Sequence, residues 1–118
     1  MKEILFFLVL SCAIVFSSVA FSSSAGENYR FYCSQCHGLI GKGDGINATK
    51  SQPVQPKDHT NKDQMSRLSD EDLINVIRSG GRATSKSTMM PPFSGTLTKE
   101  EIIELKDYLR GLCKCAGP

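Results

Sequence analysis

The chain has 118 residues, with 14 basic and 12 acidic side chains and a formal net charge of +2. That length holds one domain. The lysines are scattered and not interleaved with aromatic residues, which excludes the basic stripe of a nucleic-acid-binding surface.

Lys2 is followed by an apolar run from Ile4 to Phe16 and then by small residues, Ser17-Ser18-Val19-Ala20 and Ser22-Ser23-Ser24-Ala25. This is the layout of a secretory signal peptide, expected over residues 1–25 with cleavage after Ala25, and after Ala20 as the second choice. The run is too short for a permanent membrane span, which needs about 20 residues. Counted on to Phe21, it leaves an uncleaved anchor as an alternative. Lipid attachment at Cys12 is a further one, but Val9-Leu10-Ser11 fits such a site loosely and Ala13 to Phe16 would leave an apolar tether. The expectation is a periplasmic protein without stable membrane insertion, with a domain over residues 26–113 and a tail over 114–118. Removing Lys2 and Glu3 together leaves the net charge unchanged, and the remaining chain is short for a self-sufficient hydrophobic core.

Residues 26 to 35 suit a short helix in which Tyr29 precedes Cys33 by one turn. Tyr29 reads as a packing residue against a later helix rather than a catalytic one. At the end of this segment stands Cys33-Ser34-Gln35-Cys36-His37. Cys-x-x-Cys-His is the attachment signature of c-type haem. Two thiols one turn apart can add to the two vinyl groups on one porphyrin edge, and the imidazole of His37 follows as the proximal iron ligand. A redox disulfide or half of a zinc site is the competing reading, but no second Cys-x-x-Cys or His pair completes a zinc site. A bound haem also answers the shortage of core, because side chains pack on a large apolar body tied to the chain.

Gly38 to Gly45 holds four glycines and reads as a tight loop with positive φ angles, wrapping the proximal face and supplying a carbonyl for the His37 N–H. A phosphate-binding loop is excluded, since no strand precedes it and no Gly-Lys-Ser/Thr follows. Residues 46 to 62, with Pro53 and Pro56, read as loop. His59 lies there, either solvated or a second haem ligand. Ser69 caps a helix whose acidic first turn is Asp70-Glu71-Asp72, whose apolar face is Leu73, Ile74, Val76 and Ile77, and which Gly80-Gly81 ends. Met65 and Leu68 should staple its entry. Met89-Met90-Pro91-Pro92-Phe93 is held extended by its prolines, and a methionine pinned there offers the soft thioether of a distal iron ligand. Thr98 to Glu101 is a capping box for the last helix, with Ile102, Ile103, Leu105, Tyr108, Leu109 and Leu112 facing inward and Lys106 and Arg110 outward. Cys113-Lys114-Cys115 leaves a disulfide, free thiols, an intermolecular bridge or a soft metal pair open.

These residues together resemble a small bacterial class I cytochrome c. The resemblance is carried by Cys33 to Gly38, the loop Gly41-Lys42-Gly43-Asp44-Gly45, the helix from Leu68 to Gly81, Met90-Pro91-Pro92-Phe93-Ser94-Gly95 and the final helix with Tyr108. It implies an all-α fold of about three main helices around one covalent haem c, with the first and last helices crossing at Tyr29 and Tyr108. It implies thioether bonds from Cys33 and Cys36, His37 as proximal ligand and Met90 as distal ligand, with Met89 as the register-shifted alternative. Ile46 departs from the family, which often carries a proline there whose carbonyl holds the histidine.

The expected function is a monomeric one-electron carrier, not an enzyme, exchanging electrons with redox protein partners. The alternatives are a haem c subunit docked permanently on a larger respiratory oxidoreductase, and a haem protein with an open distal site that binds a small ligand.

Overall fold

The computed structural model describes residues 23–118. Most of the expected leader, with Cys12 and the Ala20 cleavage site, lies outside those residues. Every regular element among the described residues is helical, and none is long and apolar enough to cross a membrane.

Helix α1 is composite: an α turn Ala25–Asn28, a π turn Tyr29–Cys33 and an α turn Ser34–His37. Its start is fixed by a capping box. Glu27 N donates to Ser24 Oγ at 3.3 Å, and Ser24 N donates to Glu27 Oε2 at 2.9 Å. The π turn has a local cause, because the Ser34 hydroxyl donates back to the Arg30 carbonyl and competes with the ordinary ladder. Helix α2 is a single turn, Lys62–Met65, capped by Asn61. It begins at the last residue of the expected loop and has no counterpart among the predicted elements, being too short to show a periodicity.

Helix α3, Asp70–Ala83, begins at the expected Ser69 cap with three acidic residues in its first turn. Its helical dihedrals break at Gly80, where φ is 77° and ψ 168°, so the expected stop is present as a break followed by one more turn. Helix α4, Lys99–Cys113, starts at the expected Thr98–Glu101 capping box. Its stripe of Ile102, Leu105 and Leu109 is buried. Each such side chain contributes roughly 1.5–3 kcal/mol by leaving water.

Helices α1 and α4 cross as expected. Tyr29 and Tyr108 meet with ring centroids 5.0 Å apart, and Asn28 Nδ2 donates to Glu101 Oε1 at 3.4 Å. Met65, fully buried, packs into the same core with Leu73 and Ile77 of α3.

Three positions of α4 differ from the sequence expectation. Ile103 is 46% exposed. Lys106 and Arg110, expected outward, have side chains only 12% and 11% exposed. The reason is a carboxylate and two carbonyls at the corner between α2 and α3. Arg110 donates from Nη1 to Met65 O at 2.9 Å, from Nη2 to Leu68 O at 2.6 Å and from Nε to Asp70 Oδ1 at 2.8 Å. Lys106 Nζ lies 3.3 Å from Asp70 Oδ2. The long stems cross apolar surface to reach these partners.

The chain then folds back. Lys114 is left-handed, Cys115 N donates to Arg110 O at 3.3 Å, and Cys113 and Cys115 form a disulfide. Of the four readings open for this pair, the intramolecular bond is the one adopted.

Candidate haem-binding site

Cys33, the last residue of the π turn, and Cys36 and His37, in the final α turn of α1, line one apolar cavity of about 480 Å³. Both cysteines are free thiols. Burial, with a smaller effect from Cys36, pushes the Cys33 thiol up to about 12.

The glycine loop after His37 is held against the end of α1. Gly43 N donates to His37 O, Gly45 N to Cys36 O and Asn47 N to Gln35 O, at 2.8, 3.1 and 2.8 Å. The loop thus satisfies helix carbonyls that would otherwise be orphaned. At Gly45 any side chain would run into the Gln35 carbonyl.

The acceptor for His37 comes from elsewhere than expected. Its Nδ1 lies 3.0 Å from Lys57 O, so an Nδ1–H donates to that carbonyl. Neither the glycine loop nor Ile46 supplies this acceptor; the loop meets the end of α1 through its N–H groups, and the carbonyl at His37 is that of Lys57. The bond leaves Nε2 as the nitrogen with a free lone pair, which is the form a metal ligand needs. Burial lowers the His37 pKa, and the bond to Lys57 opposes this more weakly.

His59 is not solvated. It is 8% exposed and stacks on His37, with ring centroids 4.2 Å apart and planes inclined by 19°. Its Nδ1 is 3.3 Å from Tyr29 Oη, which lies 3.2 Å from Gly38 O. Burial, and next the neighbouring His37, push the His59 pKa down to about 3. Tyr29 therefore has a polar role besides packing.

Met89 and Met90 both line the cavity. They are not equivalent. Met89 is 61% exposed, whereas Met90 is half-buried and packs against the core. The end of α3 holds the Met90 segment: Gly81 N donates to Met90 O at 3.0 Å, Phe93 N to Ile77 O at 3.1 Å and Ser94 N to Arg78 O at 3.2 Å. The break at Gly80 makes room for this. A Cβ there would stand 2.8 Å from Pro92 N and 2.9 Å from Met90 O. Phe93 in turn meets Tyr32 edge-on at 5.8 Å.

The donor set suits haem c: two free thiols one turn apart, an imidazole with one nitrogen already oriented, thioethers on a braced loop, and an apolar cavity that all of them line. The structure brings Cys33, Cys36, His37 and Met90, all singled out from the sequence, to one cavity, and adds the Lys57 carbonyl and the stacking of His59, which the sequence reading missed. The Pro56-Lys57 step was the one available hint of a fixed carbonyl.

No curated protein matches the chain. Among the solved structures that are similar, two illustrate the likeness. One is the KustC0563 c-type cytochrome, 28% identical over 76% of this chain and 98% of that one, with a TM-score of 0.57. The other is a chain of the Kuenenia stuttgartiensis reducing HAO-like protein complex Kustc0457/Kustc0458, 28% identical over 75% of this chain, with a TM-score of 0.60. This chain spans 42% of the length of that second protein. The family described as cytochrome c oxidase, cbb3-type, subunit III matches residues 23–109. The chain belongs to that family of c-type cytochrome domains, and it is an electron-carrying cytochrome with covalently bound haem c.

Proposed function

We propose that the protein is a periplasmic one-electron carrier whose haem is bound through Cys33 and Cys36 and ligated by His37 and Met90. The observation that carries this reading is the convergence of His37 and the braced, half-buried Met90 on the cavity that both thiols line. The haem iron supplies a ferric/ferrous couple. The protein's task is to keep the surroundings of that couple the same in both states. Lys57 O holds His37 at Nδ1, and the three hydrogen bonds from the end of α3 hold the Met90 segment. A thioether ligand favours the ferrous state and raises the potential. The apolar lining keeps water from the site, so few dipoles reorient when the charge changes. Met89, being largely exposed, is the weaker candidate for the distal ligand. No substrate is bound or transformed in this reading. The apolar run near Lys2 and the small residues after it support export to the periplasm.

A second reading is a haem subunit docked permanently in a larger assembly. It is favoured by the similarity to a chain of the HAO-like complex. Size-exclusion and co-purification from the native host separate a free monomer from a docked subunit.

The test of ligation is carbon monoxide binding to the ferrous mature protein at neutral pH, together with the ferric Met–iron charge-transfer band. The expected wild type shows the band and binds carbon monoxide slowly, and Met90→Ala loses the band and binds rapidly. Rapid binding by wild type would refute a closed site. An unchanged band in Met90→Ala would transfer the ligand role to Met89.

A further inference from the structure

We propose that His59 is a positioning residue for the proximal imidazole, serving as a flat backstop that fixes the plane of the His37 ring. The proposal rests on the reading of His37 as the iron ligand. His37 is the last residue of α1 and precedes Gly38, whose φ is 82°. Its own helix therefore offers little to orient the ring. The Lys57 carbonyl fixes one point on the ring edge, at Nδ1. A single hydrogen bond still leaves the ring free to rock about the Nδ1–H···O axis. The face of His59, 4.2 Å away and inclined by only 19°, blocks that motion.

His59 can act this way because it is itself immobilised at two points. Its backbone N donates to Gly41 O at 2.6 Å. Its ring edge is tied to Tyr29 Oη at 3.3 Å, and Tyr29 Oη to Gly38 O at 3.2 Å. A tyrosine hydroxyl has one proton, so the consistent assignment runs in one direction: His59 Nδ1–H donates to Tyr29, and Tyr29 donates to Gly38 O. The chain of bonds ends on the residue next to His37. Residues 57 to 59 thus grip the imidazole twice, at its edge through the Lys57 carbonyl and at its face through the His59 ring. A histidine suits the place because it offers a flat face to His37 and a polar edge to Tyr29.

The test compares His59→Phe with His59→Leu in the haem-loaded protein. Both fill the space, but only phenylalanine presents a flat face. The readout is the proton NMR spectrum of the ferric protein, where the order and spread of the hyperfine-shifted haem methyl signals report the plane of the axial imidazole. His59→Leu is expected to change the order or spread of those signals, and His59→Phe to keep the wild-type pattern. A wild-type pattern in His59→Leu, or an equal change in both variants, would overturn the proposal. If the leucine variant does not accumulate, His59→Asn, whose amide can still reach Tyr29 but has no ring face, must show the change. A wild-type ferric spectrum without a low-spin imidazole signature would instead break the ligand reading itself.

Discussion

The break at Gly80 makes a quantitative prediction about how the Met90 loop is held. At φ 77° and ψ 168° this residue occupies a region open essentially to glycine alone. Placing alanine there costs roughly 1–3 kcal/mol from the backbone. The new Cβ would also stand 2.8 Å from Pro92 N, 2.9 Å from Met90 O and 3.0 Å from Pro91 C, which are backbone atoms without a rotamer to escape into. The least costly relief moves the Met90–Pro92 segment away. That motion weakens the bond from Gly81 N to Met90 O and its neighbours, each contributing roughly 0.5–1.5 kcal/mol. A net loss of about 2 kcal/mol at the loop corresponds to a roughly 30-fold larger population with Met90 displaced. Stopped-flow mixing of the ferrous protein with carbon monoxide reads this directly, and the Gly80→Ala rate should rise about 30-fold, taking the population ratio as the rate ratio. Urea unfolding should show a parallel loss of stability. Gly95→Ala is the control, since a Cβ there meets nothing within 4 Å. If the two alanine variants behave alike in both assays, the bracing argument is wrong.

The Arg110 clamp gives two further expectations. Arg110→Met keeps the apolar stem but orphans the Leu68 carbonyl and leaves Met65 O with only its bond from Leu68 N, and should lower unfolding stability by about 1–3 kcal/mol in urea titration. Asp70 is held below the usual carboxylate range, first by its hydrogen bond from Arg110 and then by Lys106. Its contribution is therefore complete above the unfolded carboxylate pKa of about 3.9 and is lost as pH falls through the lower folded value. Asp70→Asn should be less stable than wild type at neutral pH and converge with it in acid. The effect is modest because the Asp70 side chain is 54% exposed.

The site was legible where its parts are local in sequence. Cys33, Cys36 and His37 fall within five consecutive positions, and Met90 announces itself by the prolines that follow it. The helix starts at Ser69 and Thr98 were legible for the same reason, since a capping box is written within four residues. His59 was not legible. It lies in a polar stretch between Asp58 and Thr60, and its burial depends on Tyr29 and His37, 30 and 22 positions earlier. Lys106 and Arg110 were misread because charge was taken as a sign of the outer face. Their partners on Met65, Leu68 and Asp70 are set by how α4 meets the α2–α3 corner, which no local pattern encodes. Ile103 failed the other way, as an apolar residue facing solvent.

The capping box at Ser24 bears on how an exported chain of this sequence would be trimmed. Peptide-bond cleavage after Ala25 would discard the hydroxyl that accepts from Glu27 N and the carbonyl that accepts from Asn28 N. It would also place a new ammonium group on Gly26, at the positive end of the first helix. Loss of such a cap costs about 1 kcal/mol, and it would fall on the helix that carries the thiols. Cleavage after Ala20 leaves Ser24 and its bonds in place. A chain cut after Ala20 is therefore expected to resist urea better than one cut after Ala25, the site that the small-residue pattern puts first.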